Sequence, residues 1–153
     1  MVLKGPRAMK LSEVMTPVVV TVDPDETLGR IKNIFDESRF HHLIVTDDAR
    51  VVGIISNRDL WRNISPFIGN DWLERKQDTN TLSRKAHQIM TRHPVMAQAD
   101  MDTIEATDLM LRKGVSCLPV VGKGLRLAGI VTWKDLLRVC FMCQAPTIDR
   151  EAA

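Results

Sequence analysis

Two hydroxyl–carboxylate pairs carry the chemistry that this sequence offers. Ser56 is followed three residues on by Asp59, and Thr132 by Asp135; each pair closes a stretch that reads G-h-h-[ST]-x-x-D-L, where h is apolar. The stretches are Gly53-Ile54-Ile55-Ser56-Asn57-Arg58-Asp59-Leu60 and Gly129-Ile130-Val131-Thr132-Trp133-Lys134-Asp135-Leu136, set 76 residues apart. An apolar run entering a helix places the hydroxyl at the junction and the carboxylate in the first turn. A helix start leaves backbone N–H groups unpaired and favours an anion. The hydroxyl adds a donor, the carboxylate can accept from both hydroxyls of a ribose, and Arg58 and Lys134 can reach phosphate oxygens. Ser56-x-x-Asp59 and Thr132-x-x-Asp135 also fit capping boxes, with Asp in place of Glu or Gln. Capping and binding are compatible readings.

The elements that position these pairs are repeated. Lys10-Leu11-Ser12-Glu13-Val14-Met15-Thr16 matches Lys85-Ala86-His87-Gln88-Ile89-Met90-Thr91 at an offset of 75, and one residue inserted just after Thr91 brings the offset to 76. Val18 to Val22 reads as a strand, with Pro94 to Ala99 as its counterpart. A helix follows over 27–38, with Leu28, Ile31, Ile34 and Phe35 on one face; the second copy places Ile104, Thr107, Met110 and Leu111 there, and Gly114 ends that helix. His42 to Thr46 and Val51 to Ile55 form a hairpin across Asp47-Asp48-Ala49-Arg50, as do Leu118 to Val121 and Leu125 to Val131 across Gly122-Lys123-Gly124. Gly53 and Gly129 mark close backbone approach. Residues 63–84 have no counterpart. Ser65-Pro66 interrupts the preceding helix, Asp71 to Lys76 can form a turn or two, and Phe67, Trp72 or Leu73 are expected to pack onto the repeats.

Composition narrows the classes. The chain has 153 residues, 44% hydrophobic and 26% charged, which is ordinary for a globular protein. A net charge of +2, no five-residue run of Lys and Arg, no Tyr and only four Phe argue against nucleic acid as partner. No apolar run reaches the length of a membrane span, and charged residues break the N-terminus, so no membrane anchor or signal peptide is expected. Three Cys fit a reducing cytosol, and a cytoplasmic location is expected.

The V-M-T starts, Leu118-Pro119-Val120-Val121 and the two G-h-h-[ST]-x-x-D-L stretches resemble a tandem cystathionine-β-synthase (CBS) domain pair over roughly residues 10–140. The resemblance implies an α/β fold of α+β type. Two pseudo-symmetric β-α-β-β-α repeats, 10–64 and 85–143, pack sheet to sheet and leave two clefts. A partly helical linker, 65–84, joins them, and 1–9 and 144–153 are tails. It further implies a regulatory, non-catalytic, energy-sensing type of module that stands alone, forms a homodimer and binds AMP, ADP, ATP or S-adenosylmethionine. The nucleotide is a ligand, and no cofactor is expected. A ligand-free dimerisation or protein-interaction module, with an unknown protein as partner, is the alternative. Each cleft is shared between repeats. Thr132, Lys134 and Asp135 would work with Val20, Thr21, Arg39, Phe40 and His41; Ser56, Asn57, Arg58 and Asp59 would work with Met96, Ala97, Val115, Ser116 and Cys117. The Asp135 cleft is favoured, because Arg39 can stack on adenine or pair with phosphate. Two departures stand out: Leu43 aligns with Pro119 and His42 with Leu118. Trp133 can stack on a base or obstruct the cleft.

Other residues offer less. His41-His42 can contact phosphate or simply open a strand. Cys140-x-x-Cys143 is half a zinc set or a redox pair, placed at a helix end whose dipole opposes thiolate. No nucleophile–base–orienter set is evident, and no metal site is expected.

Overall fold

The computed structural model describes residues 9–144. The expected tails, 1–9 and 144–153, fall almost wholly outside them. The first unit contains β1 (Thr21–Val22), α2 (Leu28–Glu37), β2 (His42–Asp47), β3 (Arg50–Ser56) and α3 (Asn57–Asn63), preceded by the short helix α1 (Leu11–Val14). After the connector helix α4 (Lys76–Asn80) come β4 (Thr91–Arg92), β5 (Ala97–Gln98), α5 (Thr103–Lys113), β6 (Cys117–Val121), β7 (Leu127–Thr132) and α6 (Trp133–Gln144). In each unit the first strand lies parallel to the second, and the second pairs antiparallel with the third.

Each unit has its own core. Leu28, Ile31, Phe35, Leu43, Val45, Ile55 and Leu60 fill the first; Ala97, Ala106, Met110, Leu118, Val120, Val131 and Leu136 fill the second. A third cluster, Ile44, Val51 and Val121, with Val19, Ile54, Met96, Leu127 and Ile130 against it, joins the two sheets. Buried and half-buried residues alternate along β3, and the register shift opposite Val45 and Thr46 turns the strand, so that Ile55 belongs to the first core and Val51 to the cluster between the sheets.

The leading segments cross over. Leu11 is wholly buried in the second core, and its N–H donates to the Met101 carbonyl at 2.9 Å. Ala86 is buried in the first core, with its N–H on the Glu26 carbonyl at 2.8 Å. Val14-Met15-Thr16 and Ile89-Met90-Thr91 therefore each serve the unit formed by the other repeat. Met15 lies against Gly129 and Met90 against Gly53; a Cβ on Gly129 would stand 2.7 Å from Met15 Sδ and 2.8 Å from the Thr16 carbonyl oxygen.

The extra residue of the second copy is in its hairpin loop, not after Thr91. Thr27 caps α2 and Asp102 caps α5, an offset of 75. Leu43 pairs with Ile55, and Leu118 with Val131, so β2 and β6 keep that offset. Asp48-Ala49 forms a two-residue loop inside the Asp47–Arg50 pair. Lys123-Gly124-Leu125 forms a three-residue loop inside Gly122 and Arg126, whose backbones bond at 2.8 Å. Only beyond these loops is the offset 76.

This register corrects several expectations. The inward residues of α5 are Thr103, Ala106 and Met110; Ile104, Thr107 and Leu111 are exposed. Leu43 corresponds to Leu118, both fully buried, and His42 to Cys117, so neither departure is real. The strands expected over 18–22 and 94–99 shrink to two residues each.

The connector also differs. Its helix is α4, five residues later than expected, and Phe67, Trp72 and Leu73 are exposed, Trp72 by 95%. Leu82 packs on the first core instead. Polar contacts fasten the rest: the Ser65 hydroxyl donates to Asp78 Oδ1 at 2.6 Å, and Arg84 Nη1 donates to the Asn63 carbonyl and side-chain oxygens at 3.2 and 3.0 Å. The Ser65 bond holds the Asp78 carboxyl below its ordinary range.

Candidate functional site

Each third strand runs directly into a helix, and the junction is built twice. In the first unit the Ser56 N–H and hydroxyl donate to Asp59 Oδ2 at 2.9 and 2.6 Å, and the Asp59 N–H donates to Ser56 Oγ at 3.2 Å. In the second, the Thr132 N–H and hydroxyl both donate to Asp135 Oδ2 at 2.8 Å. The hydroxyl hydrogen expected to serve an anion is thus engaged by the carboxylate. One carboxylate oxygen takes both bonds, leaving Oδ1 for another donor; Arg138 Nη1 stands 3.8 Å from Oδ1 of Asp135.

Each helix start is tied by a matching bond to the loop that leads into the second strand of its own unit. Asn57 N–H donates to the His41 carbonyl at 3.0 Å, and Trp133 N–H to the Ser116 carbonyl at 3.1 Å. Asn57 Nδ2 donates to His41 Nδ1 at 3.3 Å. His42 Nε2 meets the Ser116 hydroxyl at 3.4 Å, bridging the repeats. Burial, then the neighbouring His41, lowers the His42 pKa, partly offset by Asp59.

A cavity of about 300 Å³ opens beside Asp135. The segment before β1 contributes Thr16, Val18, Val19 and Val20; the loop into β2 contributes Arg39, Phe40, His41 and His42. Ser116 and Ile130 form its floor with Thr132, and α6 supplies Trp133, Lys134, Asp135 and Arg138. Its size is at the lower end of small-molecule sites. Val18 is 86% exposed, Trp133 50%, Val20 48% and Phe40 37%, so apolar surface faces an open hollow around one carboxylate. Lys134 Nζ lies 5.9 Å from the Trp133 ring centre.

The structure therefore brings together Thr132, Lys134, Asp135, Val20, Arg39, Phe40 and His41. Thr21, on the exposed side of β1, is outside the lining. The set expected around Asp59 is dispersed. Ser56, Asn57 and Asp59 remain at the start of α3, with Arg58 exposed. Ala97 and Cys117 are buried, and burial pushes the Cys117 thiol up to about 12. Met96 packs between the sheets. Ser116 lines the Asp135 cavity, and Val115 lines a separate hollow between α5 and α6. Sequence reasoning missed Thr16, Val18, Val19, His42, Ser116, Ile130 and Arg138 as walls of the Asp135 cleft. Arg138 was within reach of helical spacing, one turn after Asp135.

Among the described residues no group of three His, Cys, Asp or Glu could hold a metal. Cys140 is exposed, and the Cys143 side chain lies outside the described residues. No helix among them is long and apolar enough to cross a membrane.

Comparison with known proteins places this geometry. The family model described as CBS domain matches residues 11–60 and 86–141. Inosine-5'-monophosphate dehydrogenase of Methanocaldococcus jannaschii is 33% identical over 130 residues; the match takes in 84% of this chain and only 23% of that enzyme. The CBS domain of a CBS domain containing membrane protein from Sphaerobacter thermophilus superposes with a TM-score of 0.74 at 29% identity, covering 90% of this chain and 91% of that one. CBSX2, solved in complex with AMP, superposes at 0.72 with 24% identity, over 87% and 96%.

Proposed function

The chain belongs to the CBS domain family, and from that premise we propose that it is a regulatory module which binds an adenosine-containing nucleotide in the Asp135 cleft. The observation that carries this reading is the convergence of exposed Val18, Val20, Phe40 and Trp133 on a half-buried carboxylate at a helix start. A flat base covers such apolar walls, and ribose hydroxyls donate to the free Oδ1 of Asp135. The phosphates then lie at the rim, near Thr132 and Lys134. CBSX2 with AMP supports the choice of ligand class through its shared fold. Residues from both repeats wall the cleft, so an occupant stiffens one repeat against the other, and that change is the signal passed to a partner.

Isothermal titration calorimetry against AMP, ADP, ATP and S-adenosylmethionine tests the reading. One saturable site is expected, lost in Asp135→Ala and kept in Asp59→Ala. Absence of heat and of any thermal shift at millimolar ligand overturns it.

The hollow between α5 and α6 favours a second copy of the chain on that face. Leu111 and Leu137 line it, and Phe141 is 72% exposed one turn along α6. Sedimentation at micromolar concentration should give a dimer that Leu137→Glu dissociates; a monomer in the unaltered protein overturns this.

A further inference from the structure

The rim of the Asp135 cleft is unbalanced in charge. Arg39, Lys134 and Arg138 bring three cations, and Asp135 is the single carboxylate in the lining. Asp135 Oδ2 is engaged by Thr132, and Arg138 Nη1 stands at 3.8 Å from Oδ1, too far for a hydrogen bond. Arg138 is 79% exposed on its side chain, so it is free to turn toward an anion without losing a tight partner. His41 and His42 add no negative charge, and burial opposes protonation of His42. The apolar walls come from Val18, Val20, Phe40 and Trp133, and no second acid stands among the lining residues.

We infer that this cleft selects adenosine ligands carrying two or three phosphates over the cationic S-adenosylmethionine, and that Arg138 is a specificity-determining residue. The inference rests on the adenosine reading above. Its physical basis is like-charge exclusion: S-adenosylmethionine, whose sulfonium and ammonium outweigh its one carboxylate, brings a net positive charge to a rim with an excess of two positive charges, while each added phosphate gains a charge-assisted contact. The volume of about 300 Å³ suits the nucleoside, so a polyphosphate lies outside it, among these exposed cations.

Calorimetry with adenosine, AMP, ADP, ATP and S-adenosylmethionine, at low and high salt, is the test. Affinity should rise from adenosine to ADP and ATP, with S-adenosylmethionine weakest, and salt should erode the ADP affinity but spare adenosine. Arg138→Gln should weaken ADP roughly fivefold and leave adenosine unchanged, while Arg138→Lys restores most of the difference. Equal affinities across the series, tighter S-adenosylmethionine, or an Arg138→Gln variant that loses adenosine and ADP alike overturns the inference and leaves the adenosine reading standing. If no adenosine compound binds, both fall.

Discussion

Thr16 and Ile130 exchange both backbone hydrogen bonds, Thr16 N–H to the Ile130 carbonyl at 2.9 Å and Ile130 N–H to the Thr16 carbonyl at 3.0 Å. This bridge fastens the chain's leading segment to the other repeat, and it lies against Gly129. The Thr16 carbonyl cannot retreat from a new Cβ without giving up the bridge. Gly129→Ala should therefore destabilise the protein by about 1–3 kcal/mol, the usual range for overpacking. At Gly53 the two nearest atoms are Sδ and Cγ of Met90, which can rotate away, and the Met90 Cβ at 3.2 Å needs a shift of only a few tenths of an ångström. Gly53→Ala should cost less. Urea unfolding of both variants checks the order; equal midpoints would show that the Thr16 backbone yields as readily as a Met side chain.

His42 gives stability a pH dependence. Its pKa lies below the ordinary 6.5, chiefly through burial, then through His41. Below pH 6.5 the unfolded chain takes up a proton that the folded chain resists, so unfolding is favoured. The His42 contribution is full above 6.5 and is lost as pH falls through the lower folded value. His42→Gln should flatten that part of the profile. Urea midpoints at about pH 7.5 and about pH 5.5 measure it; an unchanged difference between the two in the variant would remove His42 as the cause.

Much of this was legible in the sequence because repeats constrain each other. G-h-h-[ST]-x-x-D-L specified a strand end, a helix start and a capped carboxylate, and all of these form at Ser56 and Thr132. The register of α5 was not legible. An insertion between Gly122 and Arg126 is invisible when the flanking pattern is matched by a single offset. Ile104 and Leu111 are apolar enough to pass for a core face, whereas the residues that pack include Thr103 and Ala106. The crossover of the two leading segments was equally hidden, since sequence order says nothing about which core receives Leu11. The Asp135 cleft was half legible: Arg39, Phe40 and His41 lie there, but Ser116 lines the same side by meeting His42 across the repeats. That contact depends on the pairing of units, which no local pattern encodes.

Cys117 should be inert in the folded protein. With a thiol pKa of about 12, about one molecule in ten thousand carries a thiolate there at pH 8. Iodoacetamide should leave Cys117 unmodified while labelling exposed Cys140, with urea restoring reaction at Cys117. Peptide mass mapping reads both. Prompt native labelling of Cys117 would mean that the start of β6 opens far more often than its burial implies.

Asp59 and Asp135 cap their helices alike, and capping should separate from binding when both are altered. Each carboxylate accepts from the backbone N–H of its Ser56 or Thr132 partner at 2.9 or 2.8 Å. Replacing either by Ala removes that acceptor, and each loss should cost about 0.5–2 kcal/mol. Asn keeps an acceptor at the same place, so Asp59→Asn and Asp135→Asn should recover most of the stability. Only Asp135 has the hollow walled by Val18, Phe40 and Trp133 in front of it. Nucleotide affinity should therefore fall about tenfold or more in Asp135→Asn, whose amide is a poorer acceptor for ribose hydroxyls, and stay unchanged in Asp59→Asn. Denaturation and calorimetry on the same four variants give the two readouts. Equal losses of affinity at both positions would assign a ligand to each cleft, and a loss tracking stability alone would reduce Asp135 to its cap.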